Sequence, residues 1–471
     1  MDLFFLNLFF LAAGAAALGV VFWLRRRPAV TVWDNYSDPK RTRDQTVRDT
    51  LAVAGHHETA AVLSEMILTD GAGSWPPRAN HTHNMWPAAL RPYKEIYFEL
   101  ARLIPKETAS LDDEVNRALI DDFRSSFRKL LAERVDMAQV KDLLEAADAG
   151  RWDAFPREVY NAFYCCIASS RHAYRWATIP VVRVAQLEQC VDLPVELVEP
   201  WEYLQRHFGC ASQSGNNTSN LVLNFDVNGQ HTYKINTGMS ETITSGEEAF
   251  GRIFYDVEML ALPVYHYMVQ ATIAFARKDN AACAKYMACI TAQLRPLLSS
   301  YYDRMHDNKI ALKVWLSYVQ GFFAWGTGYI DEATGEWVKF DGLSGNQVLL
   351  FQALDAFLGL EPYLSQKDKE RNVPVRQRAL CEVFEKHSFR SKLSSEPKDE
   401  AEAQIVNEFT EIVKRVRMFR TAHRTRAKNY LSQPAPERLP MTAGKSLLKS
   451  ELENSLQFLD EFMTRRLAQT V

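Results

Sequence analysis

Between Glu402 and Leu431 the apolar residues fall at Ile405, Phe409, Ile412, Val416 and Phe419. Steps of four and three mark one buried stripe on an α-helix, and a stripe this long obliges the chain to build helical layers that cover it. The next position on the stripe is His423. A buried imidazole must satisfy its ring nitrogens, either by hydrogen bonds in a packed core or by a metal.

The flanks of that histidine are basic. Lys414, Arg415, Arg417, Arg420, Arg424, Arg426 and Lys428 crowd the helix, with no acid after Glu411. A solvated basic face accounts for most of them. A buried dianionic ligand, such as a haem with its two propionates, accounts for both the histidine and the charge.

The chain has 471 residues, 47% of them hydrophobic, which is enough for two or three domains with a large core. A net charge of −3 gives no reason to expect nucleic acid as a partner. Residues 3–24 are an apolar run broken only by Asn7, long enough at about 1.5 Å per residue to cross a bilayer. Arg25-Arg26-Arg27 follows it. Positive charge after the run, rather than before it, argues for a retained single-pass anchor with the remainder cytosolic, the endoplasmic reticulum being the default membrane. The seven cysteines show neither CxxC pairs nor a disulfide-dense pattern and read as reduced core residues.

Apolar spacing predicts helices over 44–68, 93–103, 111–133, 140–147, 160–174, 247–275, 280–302, 309–323, 375–386 and 447–467, with a long loop over 71–92. His81 and His83 in that loop have no acid or cysteine at ligand spacing and are expected to be exposed. Alternation over 221–225 and 232–235 around Asn228-Gly229 predicts a hairpin, and 329–340 around Thr334-Gly335 a second. Segments 367–371 and 391–400 read as charged connections. Gly444-Lys445-Ser446 is not a phosphate loop, because Leu439 stands where its first glycine belongs.

Two motifs carry a resemblance. Phe419-Arg420-Thr421-Ala422-His423, followed by Lys428-Asn429-Tyr430-Leu431 and Pro434, resembles the proximal-histidine helix of the indoleamine 2,3-dioxygenase family. Upstream, Gly342-Leu343-Ser344-Gly345-Asn346-Gln347, running into Phe351-Gln352-Ala353-Leu354-Asp355-Ala356-Phe357-Leu358-Gly359, resembles that family's small-residue loop and the helix after it. The motifs stand in the family's order at close to its separation. The likeness is fullest over 250–431, thinner over 160–225 and absent before residue 93.

The resemblance implies an all-α, two-domain helical haem dioxygenase-like fold with minor β-hairpins, here behind an N-terminal transmembrane helix. The expected division is 1–27 as membrane anchor, 28–240 as a smaller helical domain and 241–471 as the large haem-binding domain. It also implies haem b, with His423 on the iron, Arg420 meeting a propionate or its hydrogen-bond shell, and Asp355 organising the proximal side. Ser344 and Gly345 match the small residues that let substrate and dioxygen lie over the ring. Phe250 matches the aromatic beside the indole, and Phe254 falls where the animal enzyme has a serine, so no hydroxyl is offered there.

The chain also departs from the family pattern. Leu316 stands where the dioxygenases have the arginine that pairs with the substrate carboxylate, and Ala311 and Leu312 where they have two phenylalanines. Leucine cannot replace a bidentate carboxylate partner. A pocket of Phe250, Phe254, Leu312 and Leu316 implies an oxygenase that uses dioxygen on a lipophilic, indole- or tryptophan-derived aromatic in specialised metabolism, with an unspecified redox partner. Three alternatives stay open: a ring-rearranging enzyme like monodechloroaminopyrrolnitrin synthase, from the same superfamily; a membrane-tethered haem sensor or carrier without turnover; and a chain without haem in which the histidine helix is structural.

Overall fold

The computed structural model describes residues 39–431, 435, 437–439, 441, 457, 460–461 and 463–470. The apolar run 3–24, Gly444-Lys445-Ser446 and the first half of the helix expected over 447–467 lie outside them. Asp49–Val471 forms one compact unit, and Met1–Arg48 is a separate one. The expected boundary between 240 and 241 falls at Ser240, the residue preceding a long helix inside the compact unit.

That helix, Glu241–Ala276, is the axis of the fold. Among the described residues it alone is long and apolar enough to cross a membrane, yet 61% of its apolar stretch is buried within the protein, so here it serves as a core helix. Asn280–Arg304 returns along it, with Asp279 accepting from the Ala282 N–H to cap the new helix. Glu400–Leu431 packs on Asn280–Arg304 in turn. Leu349–Phe357 rests on both Glu241–Ala276 and Val375–Lys386. The architecture is therefore all-helical layers, and the one sheet among the described residues is a two-stranded hairpin, Gly328–Ile330 against Trp337–Lys339, where the sequence places it.

The apolar stripe of Glu400–Leu431 is buried as its spacing requires: Ile405 and Ile412 are fully buried, Phe409 nearly so, and Val416 and Phe419 below a tenth exposed. Phe409 sits between Phe357 and Phe389, at ring separations of 5.6 and 5.1 Å, and Phe419 stacks on Phe351 at 4.5 Å. Each such side chain contributes about 1.5–3 kcal/mol of burial.

Several expectations need correction. The helix expected over 44–68 is two, Pro39–Ala52 and Glu58–Thr69; His57 between them is extended, and its Nδ1 accepts from the Thr59 N–H to start the second. The hairpin expected over 221–235 is absent: Thr218–Val222 is a π-helical turn, and only an isolated bridge, Phe225 to His231, joins the two arms. Asp226 Oδ1 closes that turn by accepting from the backbone of Asn228 and Gln230. Segment 309–323 is not one regular helix but a short turn, Leu312–Val314, running into a π-helix, Trp315–Gln320. Residues 367–371 lie in a capped helix, Gln366–Asn372, started by Ser365. His83 is exposed, as expected, but His81 is buried with Nε2 2.7 Å from the Leu223 carbonyl. A loop can bury a polar ring when the backbone across from it supplies the partner.

Burial also sets the titration of the fold. His81, His172 and His231 are lowered to about 4 and His207 to about 3, chiefly by desolvation. Glu247 and Glu258 are raised to about 7 by the same cause. Glu258 accepts from the Leu350 N–H, Tyr265 and Ser74, so it ties the start of Leu349–Phe357 to the long helix.

Two predictions follow from this packing. Phe409→Ala lowers unfolding free energy by about 3–5 kcal/mol in denaturant titration, since its cavity opens between two other rings; a loss under about 1 kcal/mol contradicts the packing. Between pH 4.5 and 6.5 the unfolded chain protonates these four histidines and His423, which burial also lowers to about 4, while the folded chain holds protons on the two glutamates, so the unfolded state binds about three more protons. Stability measured by denaturant titration therefore rises with pH across that window and levels off near neutrality; a flat or falling profile contradicts the assignment.

Candidate functional site

His423 lies one turn beyond Phe419 on the helix Glu400–Leu431, and their rings stack at 5.9 Å. Its Nδ1 is 3.1 Å from the Tyr301 hydroxyl. Tyr301 comes from the buried face of Asn280–Arg304, and its ring meets Phe419 edge-on at 5.0 Å. Nε2 has no protein partner among the described residues and is not sealed in the core. Burial lowers the imidazole to about 4, so it is neutral at physiological pH, the form a metal ligand requires.

The ring faces a cavity of about 90 Å³. Phe351, Phe419, Tyr301, Tyr363 and Met463 supply apolar wall; Arg420, Arg466 and Asp355 supply charge. Arg420 Nη2 donates to Asp355 Oδ1 at 2.5 Å, Arg466 donates to the other carboxylate oxygen, and Arg420 Nη1 reaches Thr470 Oγ1 at 2.6 Å. Arg420, expected at a propionate or in its hydrogen-bond shell, is thus committed to Asp355. Two guanidiniums against one carboxylate leave the wall with one net positive charge, which favours an anionic group at the cavity.

The loop before Leu349–Phe357 closes the cavity from the other side. Leu343 N–H donates to the Phe323 carbonyl at 2.9 Å, and a side chain on Gly342 would lie 2.1 Å from that oxygen, so only glycine fits. Asn217 holds the next residues, its Nδ2 donating to the Ser344 carbonyl and its N–H to Gln347 Oε1. Ser344 Oγ accepts from the Asn346 N–H, and Gly345 and Asn346 reach the cavity. A methyl group on Gly345 would meet only Phe254, at 3.9 Å. Protein packing does not demand a glycine here, and the space it leaves lies beside the cavity.

The sequence candidates thus do not all converge: Ser344, its Oγ taken by the Asn346 N–H, does not line the cavity, and the others divide. His423, Arg420, Asp355 and Gly345 line one cavity. Phe250 and Phe254 belong to an adjoining aromatic cluster, in which Phe250 meets Phe254 at 5.2 Å, Trp315 at 5.0 Å and Phe323 at 5.3 Å. Leu312 is half-buried at the start of the short turn, while Leu316 is buried inside the π-helix. Sequence reasoning missed Tyr301, Tyr363, Met463 and Arg466. Only Tyr301 left a signal, as the last member of the buried face Leu294, Leu297, Leu298.

Among the described residues no three His, Cys, Asp or Glu converge as a metal set, so a metal on His423 takes its remaining ligands from a prosthetic group. The neutral imidazole, anchored at one nitrogen and free at the other, fits a haem, as do the aromatic walls and the positive charge.

The family model for indoleamine 2,3-dioxygenase matches residues 157–461, beginning at the first residue of the helix Arg157–Trp176. The chain belongs to the indoleamine 2,3-dioxygenase family. No curated protein matches the chain. Membership supports a haem-dependent oxidoreductase that uses dioxygen on tryptophan- or indole-like substrates.

Tyr301→Phe deletes the anchor of His423 and keeps the ring. A partner on the outer nitrogen of a ligating imidazole fixes its orientation and strengthens it as a ligand, so haem affinity falls about tenfold. The iron–histidine stretching band of the ferrous protein moves to lower frequency; an unmoved band contradicts the role.

Proposed function

We propose that this protein is a haem b-dependent oxygenase acting with dioxygen on a lipophilic, indole- or tryptophan-derived aromatic that carries no free carboxylate, in specialised metabolism. The observation that carries the reading is the pairing at His423: Nδ1 held by Tyr301, Nε2 free at a cavity with aromatic walls and net positive charge. His423 would hold the haem iron through its free Nε2. Arg420 and Arg466 supply the field for the propionates through the charge that Asp355 leaves uncompensated. Haem supplies the activation of dioxygen; the chain supplies ligation, orientation and a dry pocket.

The substrate assignment rests on the wall beyond the cavity. Phe250, Phe254 and Phe323 offer flat apolar surface for an aromatic ring. The cation that reaches the neighbouring π-helix is Arg438, and its Nη2 is already engaged by the Leu316 carbonyl at 2.6 Å and Gln320 Oε1 at 2.8 Å. Among the described residues, Arg438 thus has no open fork to offer a carboxylate there. Attachment through residues 3–24, with the catalytic part cytosolic, belongs to the same proposal and suits a substrate drawn from a membrane.

The absorption spectrum of the purified protein tests this. The wild type carries a haem Soret band and His423→Ala loses most of it on desalting. A haem-free wild type, or equal retention by the variant, overturns the reading. Efficient turnover of free L-tryptophan to N-formylkynurenine overturns the substrate assignment alone.

A further inference from the structure

The π-helix Trp315–Gln320 stands where sequence spacing predicts a regular helix with Leu312 and Leu316 on one face. Widening the turns from i→i+4 to i→i+5 bonding rotates the side chains out of α-helical phase, and such segments concentrate at functional sites. The shift has a visible cause. Main-chain oxygens of the segment are taken by side chains from elsewhere: Leu316 O by Arg438 at 2.6 Å and Tyr318 O by Asn236 Nδ2 at 3.0 Å. Phe322 O, just beyond, accepts from His172 at 2.7 Å and Trp176 at 3.0 Å.

In this register Trp315 meets Phe250, at 5.0 Å, and lies 6.2 Å from Tyr430. Its indole is 7% exposed, and Nε1 has no hydrogen-bond partner. A buried, unsatisfied N–H costs about 1–3 kcal/mol, and natural structures retain few of them. Its ring neighbours are Phe250, a hydrocarbon, and Tyr430, whose hydroxyl donates to the Ile310 carbonyl at 2.9 Å and makes no hydrogen bond with Nε1. Trp315 Nε1 is therefore an uncommitted donor beside the Phe250 ring, and Arg438 Nε, against Gly321 at the end of the π-helix, is another buried donor without a partner.

We propose that the Trp315 indole N–H binds a neutral oxygen acceptor on the substrate, the carbonyl of an ester, ketone or amide, and so determines specificity beside the Phe250 ring. The proposal rests on the functional reading above and deepens it. A single uncharged N–H satisfies a neutral acceptor oxygen but does not offset the cost of taking a carboxylate out of water, so a neutral acceptor is favoured. A wall built around one donor rejects analogues that lack the acceptor, because the donor is then left unpaired.

The test uses the purified holoprotein and three probes: methyl indole-3-propanoate, 3-pentylindole and indole-3-propanoate. Binding is read by calorimetry and haem content by absorption in the same samples. Trp315→Phe weakens the ester relative to the pentyl compound by about tenfold, the equivalent of one buried hydrogen bond. Trp315→His, which returns a ring N–H, recovers part of that ratio, and the wild type binds the acid no more tightly than the ester.

A ratio unchanged in Trp315→Phe overturns the assignment. So does an equal loss in both variants, which marks a packing role, tighter binding of the acid than the ester, or no binding of ester and pentyl compound by the wild type. A haem-free spectrum overturns the functional reading instead, whichever ratio calorimetry returns.

Discussion

One ring held at one nitrogen organises the rest of the structure. The helix Glu400–Leu431 is buried along its apolar stripe, and that burial carries His423 into a place where both ring nitrogens must be accounted for. Tyr301 accounts for Nδ1, and the cavity leaves Nε2 to a ligand. Desolvation removes the competing proton, so the same packing that stabilises the helix prepares the imidazole as a base toward metal. The neighbouring layers follow from this placement: Asn280–Arg304 must pack on the histidine helix to bring Tyr301 within reach, and Leu349–Phe357 must stand opposite to bring Phe351 and Asp355.

Charge in the cavity wall is arranged by the same logic. Asp355 is nearly buried and would be costly alone; Arg420 and Arg466 bracket it. Arg466 lies near the chain's end and Arg420 on the histidine helix, so the carboxylate fastens the C-terminal residues to the core while leaving one positive charge uncompensated. A stabilising contact and an electrostatic bias toward an anionic cofactor thus reside in one cluster.

Much of this was legible in the sequence, for reasons tied to particular residues. A four-three stripe ending on His423 is a local pattern, and local patterns survive into structure when burial rewards them. Gly342 through Asp355 could be recognised because a close backbone approach and a small-residue loop restrict residue choice severely. The segment 309–323 was misread because its π-helical register is imposed from outside, by Arg438, Asn236 and a distant backbone, and no spacing within the segment encodes that. The hairpin expected over 221–235 failed for a related reason: alternation is shared by strands and by short buried turns, and Asp226 and Asn224 settle the contest through side-chain bonds. His81 shows the same limit, since its partner is a carbonyl far along the chain.

Hyperfine spectroscopy of ferric protein grown on ¹⁵N-labelled histidine tests the central claim most directly. A single axial histidine nitrogen coupled to the haem iron in the wild type, and lost in His423→Ala that has been reloaded with haem, is the predicted result. Haem that binds without any histidine coupling, or a coupling that persists in the variant, would contradict it.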